Sequence, residues 1–130
     1  MAEAPSPSSS TFSLELPSDP TMLSSARLFS AAVARDAGCA EGLLDDVKLA
    51  VSEACTEAIR RSEAQDGATI LVKADVEENS VTFEVAGPLG SAPPTEDDLD
   101  HFSLVAALFE GAERRETPGG ASIMFSTPLT

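Results

Sequence analysis

Apolar and polar residues alternate along some segments of this chain and recur every three or four residues along others, which separates strands from helices. Phe12, Leu14 and Leu16 alternate with Ser13 and Glu15 and stop at Pro17, predicting a half-buried first strand. Asp19-Pro20 predicts a helix start, because the carboxylate accepts from first-turn amides and proline's missing N–H costs nothing there. That helix is expected from Pro20 to about Ala37, with an apolar face of Leu23, Ala26, Phe29 and Val33 and a stop at Gly38. A second helix, Ala40 to about Ser62, carries Leu43, Leu44, Val47, Val51, Ala54 and Ala58 at three and four residue spacing, the strongest periodic signal in the chain.

Beyond Gln65-Asp66-Gly67, Ile70, Val72, Ala74 and Val76 alternate, Glu78-Asn79 turns, and Val81, Phe83 and Val85 alternate again, which predicts a hairpin. The Gly- and Pro-rich stretch 87–94 predicts a loop. Thr95 with Asp98 forms a capping pattern for a helix through Leu99, Phe102, Val105, Leu108 and Phe109. After a turn at Pro118-Gly119-Gly120, Ile123 and Phe125 mark a last strand. The order β, α, α, β, β, α, β predicts an α+β fold, a two-layer sandwich whose antiparallel or mixed sheet carries helices on one face. Each phenylalanine, Phe12, Phe29, Phe83, Phe102, Phe109 and Phe125, falls on the apolar side of its element and is expected in the core.

The 130 residues suit one domain. Ala4 to Ser10 holds only Pro, Ser and Ala, so residues 1–10 are expected to form a flexible tail and 11–130 the single domain. Eight Lys and Arg against 22 Asp and Glu leave a formal charge of −14, which argues against nucleic acid and anionic membranes and suits either a basic protein partner or, equally, a surface kept soluble by charge. No stretch reaches the ~20 consecutive apolar residues of a membrane span, and the amino terminus lacks the basic and apolar regions of a signal peptide, so a cytoplasmic location is expected. Cys39 and Cys55 make neither a disulfide framework nor a metal pair; Cys55 is expected in the core and Cys39, just after Gly38, at the surface. The single histidine, His101, reads as an ordinary polar residue near a helix start. Neither a G-x-S-x-G nucleophile motif nor a Walker loop is present.

Leu49-Ala50-Val51-Ser52-Glu53-Ala54, running on to Thr56-Glu57-Ala58-Ile59-Arg60, together with Leu16-Pro17 and Arg27, resembles the anti-sigma-factor serine kinases of the GHKL superfamily, the histidine-kinase-like ATPases. The likeness covers roughly Phe12 to Phe125 and implies the two-layer fold of that superfamily. In the family, a glutamate on the second helix acts as base, an asparagine four residues on holds magnesium on ATP, an aspartate two residues before a glycine reads adenine, and a glycine-rich run wraps the phosphates. Glu53 matches the base. Glu57 stands where the asparagine belongs, Arg61 where histidine is common, and Ala86 or Gly87 where the aspartate belongs. The stretch Thr95 to Leu104, matching the glycine-rich run, has no glycine and four carboxylates at a helix start, where phosphate would need positive charge.

Glu53, Glu57, Ala86, Gly87 and Gly90 are therefore expected to be non-functional remnants of a nucleotide site, with neither ATP nor magnesium as cofactor. The resemblance implies a regulator that binds a sigma factor or an anti-anti-sigma factor, with Arg27 at the family's partner-contacting position and a homodimer as the assembly. Two other readings stay open: an ATP- and Mg-dependent serine/threonine kinase with Glu53 as base and Glu57 on magnesium, and a sensor that re-uses the vacated pocket. A purely structural reading is that Glu53, Glu57, Arg60 and Arg61 form ion pairs along the helix surface and Arg27 a solvated pair with a carboxylate.

Overall fold

The computed structural model describes residues 10–62, 65–88, 95–117 and 120–129. Five strands form one sheet: β1 (Ser10–Pro17), β2 (Thr69–Val76), β3 (Ser80–Gly87), β4 (Glu113–Thr117) and β5 (Gly120–Pro128), in the spatial order β1-β2-β3-β5-β4. Every neighbouring pair is antiparallel. Three helices, α1 (Leu23–Ala37), α2 (Glu41–Arg61) and α3 (Glu96–Leu108), complete the α+β fold.

The alternating residues named above set the inner face. Ile70, Val72 and Ala74 of β2, Val81, Phe83 and Val85 of β3, and Ile123 and Phe125 of β5 are buried, and Leu44, Val47, Val51 and Ala54 of α2 join the same core. α2 is the central helix of its layer, in contact with α1 on one side, α3 on the other, and β3 and β5 beneath. The end of α3 is pinned to the sheet by stacked rings, Phe109 on Phe125 at 4.8 Å and Phe83 on Phe125 at 5.3 Å between centroids.

Local signals worked where they are physically strong. Asp19 caps as expected, its carboxylate accepting from the Thr21 amide at 2.9 Å, but the turn it opens, Pro20–Met22, is a tight 3-10 turn, and α1 follows it. Gly38 ends α1 with φ +101°, the left-handed conformation that glycine adopts without strain. Thr95 and Asp98 form the full reciprocal capping box of α3.

Four expectations need correction. β4 is a strand where the periodicity predicts none, because Glu113-Arg114-Arg115-Glu116 carries no apolar alternation; its charges suit a sheet edge instead. Phe12 is 44% exposed near the open end of β1, outside the core. Cys39 is buried, its Sγ 3.7 Å from the buried Thr127 Oγ1, because the chain turns inward after Gly38. Ser10, assigned to the tail, already pairs with Val76 in β1; the rest of the expected tail, residues 1–9, lies outside the described residues, as do Gly90 and the turn residues Pro118 and Gly119. Cys55 is buried as expected, and its thiol is pushed up to about 12 by desolvation, with Arg27 opposing. Among the described residues no helix is long and apolar enough to cross a membrane.

Candidate functional site

Positions 53, 57, 60 and 61 lie one or two turns apart on α2 and look toward α3 and β4. Glu53 hydrogen-bonds the Nδ1 of His101 on α3. Arg60 Nη1 lies 2.8 Å from Oδ1 of Asp98, while Oδ2 of the same carboxylate accepts the Thr95 amide at 2.8 Å. One buried carboxylate thus caps α3 and ties it to α2. Glu57, only 3% exposed, accepts from Arg114 Nε at 3.2 Å, and Arg114 Nη1 stands 3.2 Å from Glu116, which Arg61 also engages.

Glu53, Glu57, Arg60 and Arg61 reach hydrogen-bonding partners on α3 and β4, beyond the expected pairing along the helix surface, of which the attraction between Arg61 and Glu57 is present. The alternation of β4 explains how. Arg114 and Glu116 face α2 while Glu113 and Arg115 pair with each other on the other side of the strand. His101, read as an ordinary polar residue, and Arg114, which carried no signal at all, are members of the cluster. Only the fold brings them there, since Arg114 lies 57 positions from Glu57 in the chain.

Burial pushes the Glu57 carboxyl above its ordinary value, and the hydrogen bond from Arg114 opposes this. Glu116 is shifted the other way, chiefly by its hydrogen bond from Arg61.

The sheet end completes the neighbourhood. Gly87 faces α2: a Cβ there would stand 3.3 Å from Ala58 Cβ, and Gly120 presses so close that its own Cβ would meet the Gly87 carbonyl at 2.7 Å. Between Glu57, Ala58, Arg61, Val85, Gly87 and Ile123 the remaining cavity is about 10 Å³, room for about one water. Ala86 points to the opposite, helix-free face, where a hollow of about 490 Å³ opens beside Leu71, Glu84 and Arg115. Of the two residues considered for the adenine-reading position, Gly87 is therefore the one beside Glu57. Among the described residues, no group of three His, Cys, Asp or Glu side chains could hold a metal ion.

Arg27 stands apart, on α1. Its Nη1 donates to Ser52 Oγ at 3.1 Å and its Nη2 to Ser24 Oγ at 3.2 Å. The other seven of the eight Lys and Arg each have a carboxylate within 4 Å: Arg35 with Glu41, Lys48 with Asp45, Lys73 with Asp75, Arg115 with Glu113, and the three of the cluster. Among the described residues, Arg27 alone has none. The expected carboxylate partner of Arg27 is thus replaced by two hydroxyls.

No curated protein matches this chain. A solved structure does: the RsbU and RsbW domains of Rv1364c from Mycobacterium tuberculosis superpose with a TM-score of 0.74 at 18% identity, over 92% of this chain and 32% of that one. The chain thus spans about a third of the length of the protein it matches, and the likeness at this identity is one of fold. The family model for the histidine kinase-like ATPase domain matches residues 16–126, which take in all three helices, β2, β3, β4, the end of β1 and most of β5. The chain belongs to the histidine kinase-like ATPase domain family.

Proposed function

We propose that this chain is a regulator of the anti-sigma type that works by binding protein, its nucleotide site given over to internal ion pairs. The observation that carries this reading is the buried Glu57–Arg114 pair. A magnesium ion carrying ATP would need ligands at position 57, yet that carboxylate is already neutralised by a guanidinium from β4. Gly87 offers no side-chain acceptor to adenine, and the space between it and Glu57 is about 10 Å³. Glu53 is engaged by His101. The residues present do not fit a magnesium nucleotide, so Glu53, Glu57 and Gly87 are read as remnants, and no phosphoryl transfer is assigned to them.

Calorimetry with ATP and magnesium is expected to show no saturable heat, and a thermal scan no upward shift. A ligand present at a hundred times its dissociation constant would stabilise by ~2.7 kcal/mol, a readily measured change. A micromolar constant with one site per chain would overturn this reading and favour an active serine/threonine kinase, with Glu53 as base.

For the partner we propose a basic protein in the cytoplasm, a sigma factor or an anti-anti-sigma factor, bound by a homodimer through a surface that includes Arg27. Two features support it: a formal charge of −14, which steers a basic partner toward the chain, and an arginine held in place by two hydroxyls with no carboxylate of its own among the described residues. The association rate is expected to fall as salt rises, while dissociation changes much less, and Arg27→Ala should weaken the complex. A salt-independent on-rate together with unchanged affinity in Arg27→Ala would remove the contact.

A further inference from the structure

We propose that Ser24 is a phosphorylation site whose phosphate is clamped by Arg27. In a chain with 22 acidic residues and eight basic ones, seven cations have found carboxylates, and among the described residues Arg27 has not. Its fork is nevertheless held in position by two hydroxyls, Ser24 at 3.2 Å and Ser52 at 3.1 Å. Of these, Ser24 is exposed and Ser52 half-buried, so Ser24 is the one open to modification. Ser24 and Arg27 are three residues apart on α1, where side chains are neighbours, and the first turn of α1 contains no acidic residue to repel a phosphate.

The step is a transfer from a nucleoside triphosphate by a separate serine kinase. Ser24 Oγ forms a bond to the γ-phosphorus as the bond to the bridging oxygen breaks; the hydroxyl proton passes to the kinase's base and the nucleoside diphosphate leaves. The product carries roughly −1.5 to −2 charge and three acceptor oxygens beside the guanidinium. Arg27, whose fork now donates to neutral hydroxyls, thereby gains an anionic acceptor of its own. Resting on the protein-binding reading above, the further consequence is that a partner's carboxylate must compete with a tethered dianion, so phosphorylation releases the partner.

Phosphoserine installed at position 24 of the full chain and titrated by phosphorus NMR tests the clamp. Phosphoserine at Ser25, exposed on the same turn but turned away from Arg27, is the reference. The second ionisation at position 24 is expected about half a pH unit or more lower than at position 25, and Arg27→Gln should abolish the difference. Equal values at the two positions overturn the clamp. Peptide mapping of the chain isolated from its own growing and starved cells should find phosphate on Ser24; an unmodified Ser24 in both states overturns the assignment as a modification site. If the clamp forms but Arg27→Gln leaves partner capture unchanged, the protein-binding role of Arg27 fails while the clamp stands.

Discussion

Arg114→Ala is expected to destabilise the fold by about 3–5 kcal/mol, because it strands the Glu57 carboxylate in the interior without its guanidinium. Equilibrium denaturation gives the number directly, and the double variant Glu57→Leu with Arg114→Met should recover most of the loss, since no charge is then left buried. The pH dependence has a definite sign. Glu57 has a folded value raised by burial, so the folded state binds its proton more tightly than the unfolded chain does. Its contribution is fully present below the unfolded value near 4.5 and is lost as pH rises through the raised folded value. Without Arg114 the opposing hydrogen bond is gone and the window extends further upward, so Arg114→Ala should regain stability on mild acidification relative to the parent. Glu116 has a lowered value and works in the other direction, losing its contribution as pH falls. An Arg114→Ala protein as stable as its parent at neutral pH would contradict the buried pair on which the functional reading rests.

Val51→Asp is expected to cost several kcal/mol and to abolish cooperative unfolding. Val51 is fully buried in the stripe with Leu44, Val47 and Ala54, in the central helix of the layer, so an aspartate there has neither water nor a cation. Leu49→Asp, two positions away but 41% exposed, should change stability by no more than about 0.5 kcal/mol. Far-ultraviolet circular dichroism through a thermal ramp distinguishes the two. A cooperative transition in Val51→Asp at the parent's temperature would mean that α2 does not pack on the sheet through this stripe.

The contrast between these two variants separates what was legible in the sequence from what was not. Val51 announces itself: period and hydrophobicity place it on the inner side of α2 before any tertiary contact is known. The same holds for Ile70, Val72 and Ala74, for the Asp19 and Thr95 caps, and for the left-handed stop at Gly38, all of which depend on residues within a few positions. The family likeness belongs here too, since its motif runs continuously along α2.

The charged cluster could not be read that way. Glu57 looked like a solvated helix residue because its neighbours along α2 are polar, and spacing alone offered Arg60 and Arg61 as partners. Its actual partner sits on a strand with no hydrophobic alternation, brought close when β4 pairs with the first half of β5. The same return of the chain places Gly120 against Gly87 and narrows the cavity beside Glu57. Sequence by itself determined the elements other than β4, most of the inner faces and the departure from the family's nucleotide motifs, because periodicity and capping are local. Only the tertiary structure decided which charges meet, because an ion pair is set by distance in space, and these partners lie 38 to 57 positions apart along the chain.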